Sequence, residues 1–177
     1  MKISTKQLVF TALLIALSFI GAQLKIFGTI AFDSLPAFLG TFLLGPVYGA
    51  VIGFAGHLLT SATSGFPYTF PVHFLIGIGM GVTMVATWFI FNLFNKRNQT
   101  NIGLIVSVLV AALFNGPILS LLCAPLLVPM LTWAGVIGMM VPLALVGGIN
   151  AAFAAVIFRA IPTSLKAQLD LDASKAR

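Results

Sequence analysis

The chain has 177 residues, of which 60% are hydrophobic and only 7% charged, and its mean hydropathy is +1.14. A soluble domain carries charge on about a quarter of its residues, so this composition excludes an ordinary water-soluble protein. The formal net charge of +6 does not indicate nucleic-acid binding, because the basic residues stand at the chain ends and between apolar runs rather than along one face.

The apolar runs predict an all-α integral membrane protein with six transmembrane helices in a single membrane domain over residues 1–177. Each crossing of the hydrocarbon core takes roughly 20 residues, and six crossings nearly exhaust the chain. In chain order, the predicted helices cover about 7–24, 32–44, 47–60, 72–94, 102–122 and 133–161. The second is short and stops at Gly45-Pro46.

The segments between and after these helices are polar or rich in proline and glycine. Residues 25–33, 61–71 and 124–132 are predicted as loops, and residues 163–177 as a short polar tail. The charged start and apolar run before Ala22 also resemble a signal peptide, but the small-residue cleavage pattern is poor, so the run is interpreted as the first helix.

Lysine and arginine residues flanking transmembrane helices stay on the cytoplasmic side, and this rule sets the predicted orientation. With both termini cytoplasmic, all but one of the basic residues flanking the predicted helices fall inside: Lys2, Lys6, Lys96, Arg97, Arg159 and Lys166. Lys25 is the exception. The three loops therefore face outward, where they could meet a solute.

The sequence lacks the motifs of common enzymes: it has no Walker-type phosphate loop, no His-Glu-x-x-His and no Gly-x-Ser-x-Gly. Two of the three acidic residues, Asp170 and Asp172, lie in the predicted tail, across the membrane from Asp33, which excludes a paired-carboxylate mechanism. We therefore expect no catalytic residue, no cofactor and no metal site. Cys123, the single cysteine, is expected to pack as a small hydrophobic residue.

Candidate ligand contacts concentrate at the predicted outer surface. The aromatic and polar candidates there are Phe66, Tyr68, Phe70, His73 and Trp133. An aromatic belt at the membrane interface explains the aromatic residues equally well, and His73 could simply bond to backbone or water. His57 has Gly53 and Gly56 near it in sequence and is expected to lie on a packed helix face.

Two amides in apolar helices complete the candidate set. Asn115 precedes Pro117, and Asn150 follows Gly147-Gly148. An amide embedded in lipid must find a partner, so each is expected to bond to a neighbouring helix or to a ligand.

Small residues recur at four-residue spacing in Ala12-x-x-x-Ala16, Gly49-x-x-x-Gly53, Gly77-x-x-x-Gly81 and Ala151-x-x-x-Ala155. This spacing allows close approach of helices in lipid. Most such pairs serve packing within one bundle, so each alone is weak support for a partner protein.

The run Ser34-Leu35-Pro36-Ala37-Phe38, followed by Leu43-Leu44-Gly45-Pro46-Val47-Tyr48-Gly49-Ala50 and Gly53, resembles the S components of energy-coupling factor (ECF) transporters. The resemblance extends over essentially the whole chain. It implies a non-catalytic subunit of a bacterial plasma membrane that binds a vitamin from outside. Its partners would be a transmembrane coupling subunit (T component) and two ATP-hydrolysing subunits, and the S component would topple to release its cargo.

The resemblance also implies roles for particular residues. Ala12 and Ala16 would face the coupling subunit, and the outer loops with helices four to six would form the pocket. One acid (Asp33), one base (Lys25) and many aromatic and amide groups suit a bulky, mostly neutral ligand.

The sequence leaves alternatives for both the substrate and the class of function. Residues 56–60 and 64–67 resemble S components associated with cobalamin or its ribazole precursor, while pantothenate and riboflavin remain open. Two functions outside transport are also considered: a structural membrane protein without a ligand, and an intramembrane enzyme dependent on His73.

Overall fold

The structure, a computed structural model, describes residues 4–23, 25–26 and 30–174, and for residues 25–26, 30–31 and 170–174 it describes the backbone only. Lys25 therefore has a described backbone but no described side chain. The helices are α1 (Thr5–Gln23), α2 (Leu35–Leu44), α3 (Pro46–Thr63), α4 (Phe70–Asn95), α5 (Thr100–Leu113), a π-helix (Phe114–Ile118), α6 (Leu119–Ala160) and α7 (Thr163–Ser174). Two two-residue strands, β1 (Lys25–Ile26) and β2 (Ile30–Ala31), pair antiparallel between α1 and α2.

Within the described residues, three helical stretches are long and apolar enough to cross a membrane: Thr5–Gln23, Phe70–Asn95 and the continuous stretch Thr100–Ala160. Leu35–Leu44 is a shorter apolar helix. The third stretch has 61 residues. At 1.5 Å per residue it is about three times as long as the hydrocarbon core is thick, so it can lie within the membrane only if it folds back on itself.

The fold-back occurs at Thr132, whose backbone (φ 61°, ψ 167°) is not helical. The helical residues 133–160 run antiparallel to the helical stretch that ends at residue 131 and includes the π-helix. In this hairpin Gly116 packs against Ala144, and Gly147 against Asn115. The prediction of a loop over 124–132 was wrong, since Pro125 and Pro129 lie inside the helix. Proline is tolerated in membrane helices because neighbouring groups satisfy the carbonyls that it leaves unbonded.

Glycines allow α3 to pack closely on its neighbours. A Cβ atom at Gly49 would overlap the Thr41 side chain of α2, and one at Gly53 would lie 3.1 Å from Met84 Cγ of α4. Gly56 faces Ser18 of α1, where a Cβ would lie 2.9 Å from the serine Cβ. The small-residue spacing in α3 thus serves contacts within the bundle.

The polar segment after Pro162 forms the helix α7 over Thr163–Ser174, whose helical structure the sequence analysis did not predict. The buried Gln7 of α1 holds α7 in place. Its Nε2 donates a hydrogen bond to the Leu169 carbonyl (3.4 Å), and its Oε1 accepts one from the Tyr48 hydroxyl (3.0 Å). One amide therefore links α1, α3 and α7 at the end of the bundle that carries Arg159 and Lys166.

Candidate functional site

A cavity of about 240 Å³ lies at the end of the bundle opposite α7. Five of its lining residues come from the ends of three helices: Asp33 and Ser34 precede α2, His57 lies in the last turns of α3, Tyr68 precedes α4, and His73 lies in the first turn of α4. The remaining lining is largely aliphatic and comes from α4, the π-helix and both arms of α6: Ile76, Met80, Asn115, Leu119, Ser120, Cys123, Leu127, Met139, Leu143 and Val146. Ligand sites commonly combine an apolar lining with a few polar groups in this way.

A hydrogen-bonded group of His57, Ser61 and His73 lies beside the cavity. His57 Nε2 is 3.2 Å from His73 Nδ1, and Ser61 Oγ is 2.9 Å from the same Nδ1. The Ser61 hydroxyl also donates to the His57 carbonyl at 2.8 Å. Contacts on one edge of His73 thus fix its ring and leave the opposite nitrogen, Nε2, for another partner.

Two buried polar atoms of the lining have no hydrogen-bond partner among the residues described: His73 Nε2 and Ser120 Oγ. Their side chains are only 8% and 4% exposed. A buried polar group without a partner costs about 1–3 kcal/mol. A polar ligand in the cavity would supply the missing partners, so these atoms mark the places where it would bond.

The π-helix positions Asn115. Pro117 lies inside this widened turn, and such turns often occur at functional sites. Asn115 Nδ2 donates to the Leu143 carbonyl of α6 at 2.9 Å, so the amide both joins the hairpin arms and lines the cavity.

Asp33 is the only acidic residue among the described residues that line the cavity. The backbone N–H of Phe32 donates to the Gly21 carbonyl (3.2 Å), and a Cβ at Gly21 would overlap the Phe32 carbonyl, so glycine is required for this approach. Burial raises the pKa of the Asp33 carboxyl to about 6, while hydrogen bonds from the backbone N–H groups of Ser34 and Asp33 lower it. The carboxyl can therefore change charge near neutral pH.

The other sequence-based candidates occupy different positions. Phe66 packs on His73 with ring centroids 5.8 Å apart, next to the lining. Phe70 and Trp133 are 54% and 56% exposed and lie outside the lining. Asn150 is fully buried, does not line the cavity and donates to the Val146 carbonyl of its own helix at 2.9 Å. Participation of these three residues in binding stays a prediction that the cavity does not support.

His57 and Ser120 are polar lining residues that the sequence interpretation did not select as ligand contacts. His57 was expected only to pack on a helix face, yet it lines the cavity and contacts His73, 16 positions later in the chain. Ser120 was not singled out, because a serine in an apolar run gives no signal by itself. Among the described residues no three His, Cys, Asp or Glu side chains are grouped to hold a metal ion.

Residues 6–166 match the model of the family described as ECF transporter, substrate-specific component. The chain belongs to this family. No curated protein and no solved structure matches it in the corresponding comparisons.

Membership defines this S component as a membrane-embedded, substrate-binding subunit for uptake of a vitamin or similar micronutrient, which works with a T component and ATPase components. The apolar spans agree with this location. Ala12 and Ala16 are both exposed on α1, on the side away from its buried residues Leu14 and Ser18, and so are accessible to a partner helix.

Proposed function

We propose that this S component captures a small, mostly neutral vitamin or vitamin precursor in the cavity between Asp33, His73 and Ser120, and hands it to an ATP-driven energy module. The observation that carries the proposal is the pair of buried polar atoms without a protein partner, His73 Nε2 and Ser120 Oγ, in a cavity that is otherwise aliphatic. A ligand that forms hydrogen bonds to these two atoms would remove the free-energy cost of leaving them unpaired.

The charges of the lining support a neutral ligand. Its described side chains include no lysine or arginine to balance a carboxylate or phosphate, and its only acid is Asp33. Transfer of an unpaired anion into such a site would be costly. The lining therefore favours a ligand without a negative charge. A neutral heteroaromatic vitamin is accordingly a better candidate substrate than pantothenate.

The volume of the cavity supports a ligand of modest size. At about 240 Å³ it lies below the usual range of roughly 300–1,000 Å³ for ligand sites. Of the cobalamin-type substrates, a ribazole-like precursor suits this volume better than an intact corrinoid. The Tyr68 ring, stacked on His73 at 6.3 Å, offers an aromatic surface for a heterocycle.

The positive-inside rule supports an orientation with both termini in the cytoplasm of a bacterial cell. Arg159 and Lys166 line one end of the bundle, and Lys96 follows α4 at that same end, whereas the ligand cavity lies at the other end. A location reporter fused after Gln99 should therefore read inside, and one fused after Ser64 should read outside. The reverse pattern would contradict the orientation.

Uptake of a radiolabelled vitamin panel into cells tests the transport proposal. Accumulation of one vitamin should require this chain together with the T component and both ATPase subunits, because the S component alone has no phosphate loop in its sequence. Binding without any dependence of uptake on those subunits would contradict the coupling. Absence of both binding and uptake would favour a structural membrane protein.

A further inference from the structure

A second cavity, of about 600 Å³, lies at the α7 end of the bundle, where α2, α4 and α6 end and α3 and α5 begin. It is separate from the ligand cavity, since no residue lines both. The proposed capture of a vitamin makes no use of it.

One side of this second cavity is an aromatic cluster of Phe42, Phe91 and Phe158. Phe42 and Phe91 have ring centroids 5.1 Å apart, and Phe91 and Phe158 meet edge-on at 5.4 Å. These rings, from α2, α4 and α6, are only 5–8% exposed and mainly pack against one another. The apolar surface open to the cavity comes from the half-buried Leu43 and Leu44, and it suits hydrocarbon rather than a free ion.

The cavity also carries two cations, next to the aromatic cluster. Arg159 and Lys166 both line the cavity, and Lys166 Nζ lies 4.1 Å from the centroid of the Phe158 ring. Burial and the neighbouring Arg159 charge lower the pKa of Lys166. No carboxylate is among the residues that line the cavity in the described part of the chain, so an anion between the two cations would relieve their repulsion.

We propose that this cavity binds the phosphate headgroup of an anionic membrane lipid, with Arg159 and Lys166 as partners of the phosphate and the half-buried Leu43 and Leu44 against its glycerol and acyl carbons. Basic pockets between membrane helices on the cytoplasmic side suit anionic headgroups. The indole of Trp88 also lines the cavity, as expected for a side chain at the membrane–water interface.

A soluble phosphate would share the headgroup chemistry, and the apolar surface favours the lipid. A soluble anion would gain from the two cations but would leave the half-buried Leu43 and Leu44 side chains in contact with water. A lipid would contact the cations with its phosphate and these leucines with its carbons.

Trp88 offers a direct test, because the chain has only two tryptophans and Trp133 lies at the other end of the bundle. The Trp133→Phe protein is placed in phosphatidylcholine vesicles that contain brominated phosphatidylglycerol or brominated phosphatidylcholine at equal fraction. We expect brominated phosphatidylglycerol to be preferred at least roughly fivefold in quenching Trp88. This factor corresponds to the roughly 1 kcal/mol that a single cation contributes near an anionic lipid surface.

Matched variants locate the effect. Arg159→Gln with Lys166→Gln should bring the preference close to one. Lys96→Gln with Arg97→Gln removes the same charge from exposed residues outside the cavity at the same end and should preserve the preference. In the Trp88→Phe protein, quenching of Trp133 should show no preference.

Three results would overturn the proposal. Equal quenching of Trp88 by the two brominated lipids in the Trp133→Phe protein would contradict the proposal. This comparison needs no charge variant, so it does not depend on whether such a variant folds. An equal preference at Trp88 and Trp133 would indicate general surface attraction. A saturable change of Trp88 fluorescence with inorganic phosphate, without a phosphatidylglycerol preference, would assign the cavity to a soluble anion.

Discussion

The two ends of the bundle contain cavities that differ in charge more than in apolar surface. The ligand cavity has one acid, a histidine pair and two buried polar atoms without partners, but no lysine or arginine among its described residues. The α7 cavity has Arg159 and Lys166, and no acid among the lining residues whose side chains are described. The positive charge is therefore segregated, so that one end suits a neutral solute and the other an anion.

This segregation follows from two separate physical requirements. Basic residues remain on the cytoplasmic side during insertion, whatever the protein binds. The ligand end can then acquire specificity from neutral hydrogen-bonding groups, whose burial costs less than burial of a charge. The predictions below test whether the two ends act independently, in order of decreasing effect.

Replacing Ala12 or Ala16 by tryptophan should abolish uptake and leave vitamin binding unchanged. Both alanines are exposed on α1 and lie outside both cavities, and bulk there would prevent close approach of a partner helix. Uptake in cells and binding by the purified chain should be measured on the same variants.

The control for this pair is Ala134→Trp, an equal change at an exposed position on α6. Uptake should persist in it. Normal uptake by Ala12→Trp and Ala16→Trp would remove both alanines from the coupling surface.

Asn115→Leu should weaken vitamin binding by roughly 5- to 150-fold. The change removes a polar group from the lining and leaves the Leu143 carbonyl without the 2.9 Å bond, at a cost of about 1–3 kcal/mol. Isothermal titration gives the dissociation constant, and a thermal melt reports the accompanying loss of stability.

Trp133→Ala is the comparison for Asn115→Leu, because Trp133 lies outside the lining. Its dissociation constant should change by less than about twofold. An equal loss in both variants would mean that binding extends beyond the cavity described.

Ionisation of Asp33 should lower the melting temperature of the ligand-free protein as pH rises from 5 to 7.5. The pKa of Asp33 is raised to about 6 in the fold, so its protonated form is favoured there. The associated stability is complete below the unfolded-state pKa and is lost as pH rises through about 6. Each kcal/mol lost should lower the melting temperature by about 2–4 °C.

The matched variant for this effect is Asp33→Asn, which resembles the neutral acid at every pH. The Asp33 component is the difference between the wild-type and variant melting curves, because contributions common to both proteins cancel. Parallel curves would show that Asp33 does not titrate between pH 5 and 7.5.

Much of the fold could be predicted from the sequence because lipid imposes simple rules. Apolar runs, the short helix before Gly45-Pro46 and the close-packing glycines of α3 all follow from length and small-residue spacing. The loop expected over 124–132 was wrong because proline was taken as a helix end, whereas only Thr132 leaves helical geometry.

The site was less predictable, because its residues meet through tertiary packing. Tyr68, His73, Asp33 and Asn115 were candidates from their position in the sequence, and all four line the cavity. His57 and Ser120 could be recognised only once α3, α4 and α6 were in contact. A histidine that looks packed in one helix gains its partner from the next.

The most direct test of the central claim is an equilibrium titration of the purified chain with the vitamin panel, comparing wild-type with Cys123→Phe and Leu43→Phe. Cys123 lines the ligand cavity and Leu43 the α7 cavity. One vitamin should bind wild-type and Leu43→Phe equally, and Cys123→Phe roughly 100-fold more weakly, since the added ring fills the space and overpacking costs about 1–3 kcal/mol. Unchanged affinity in Cys123→Phe, or no binding of any vitamin by the wild-type chain, would contradict the account.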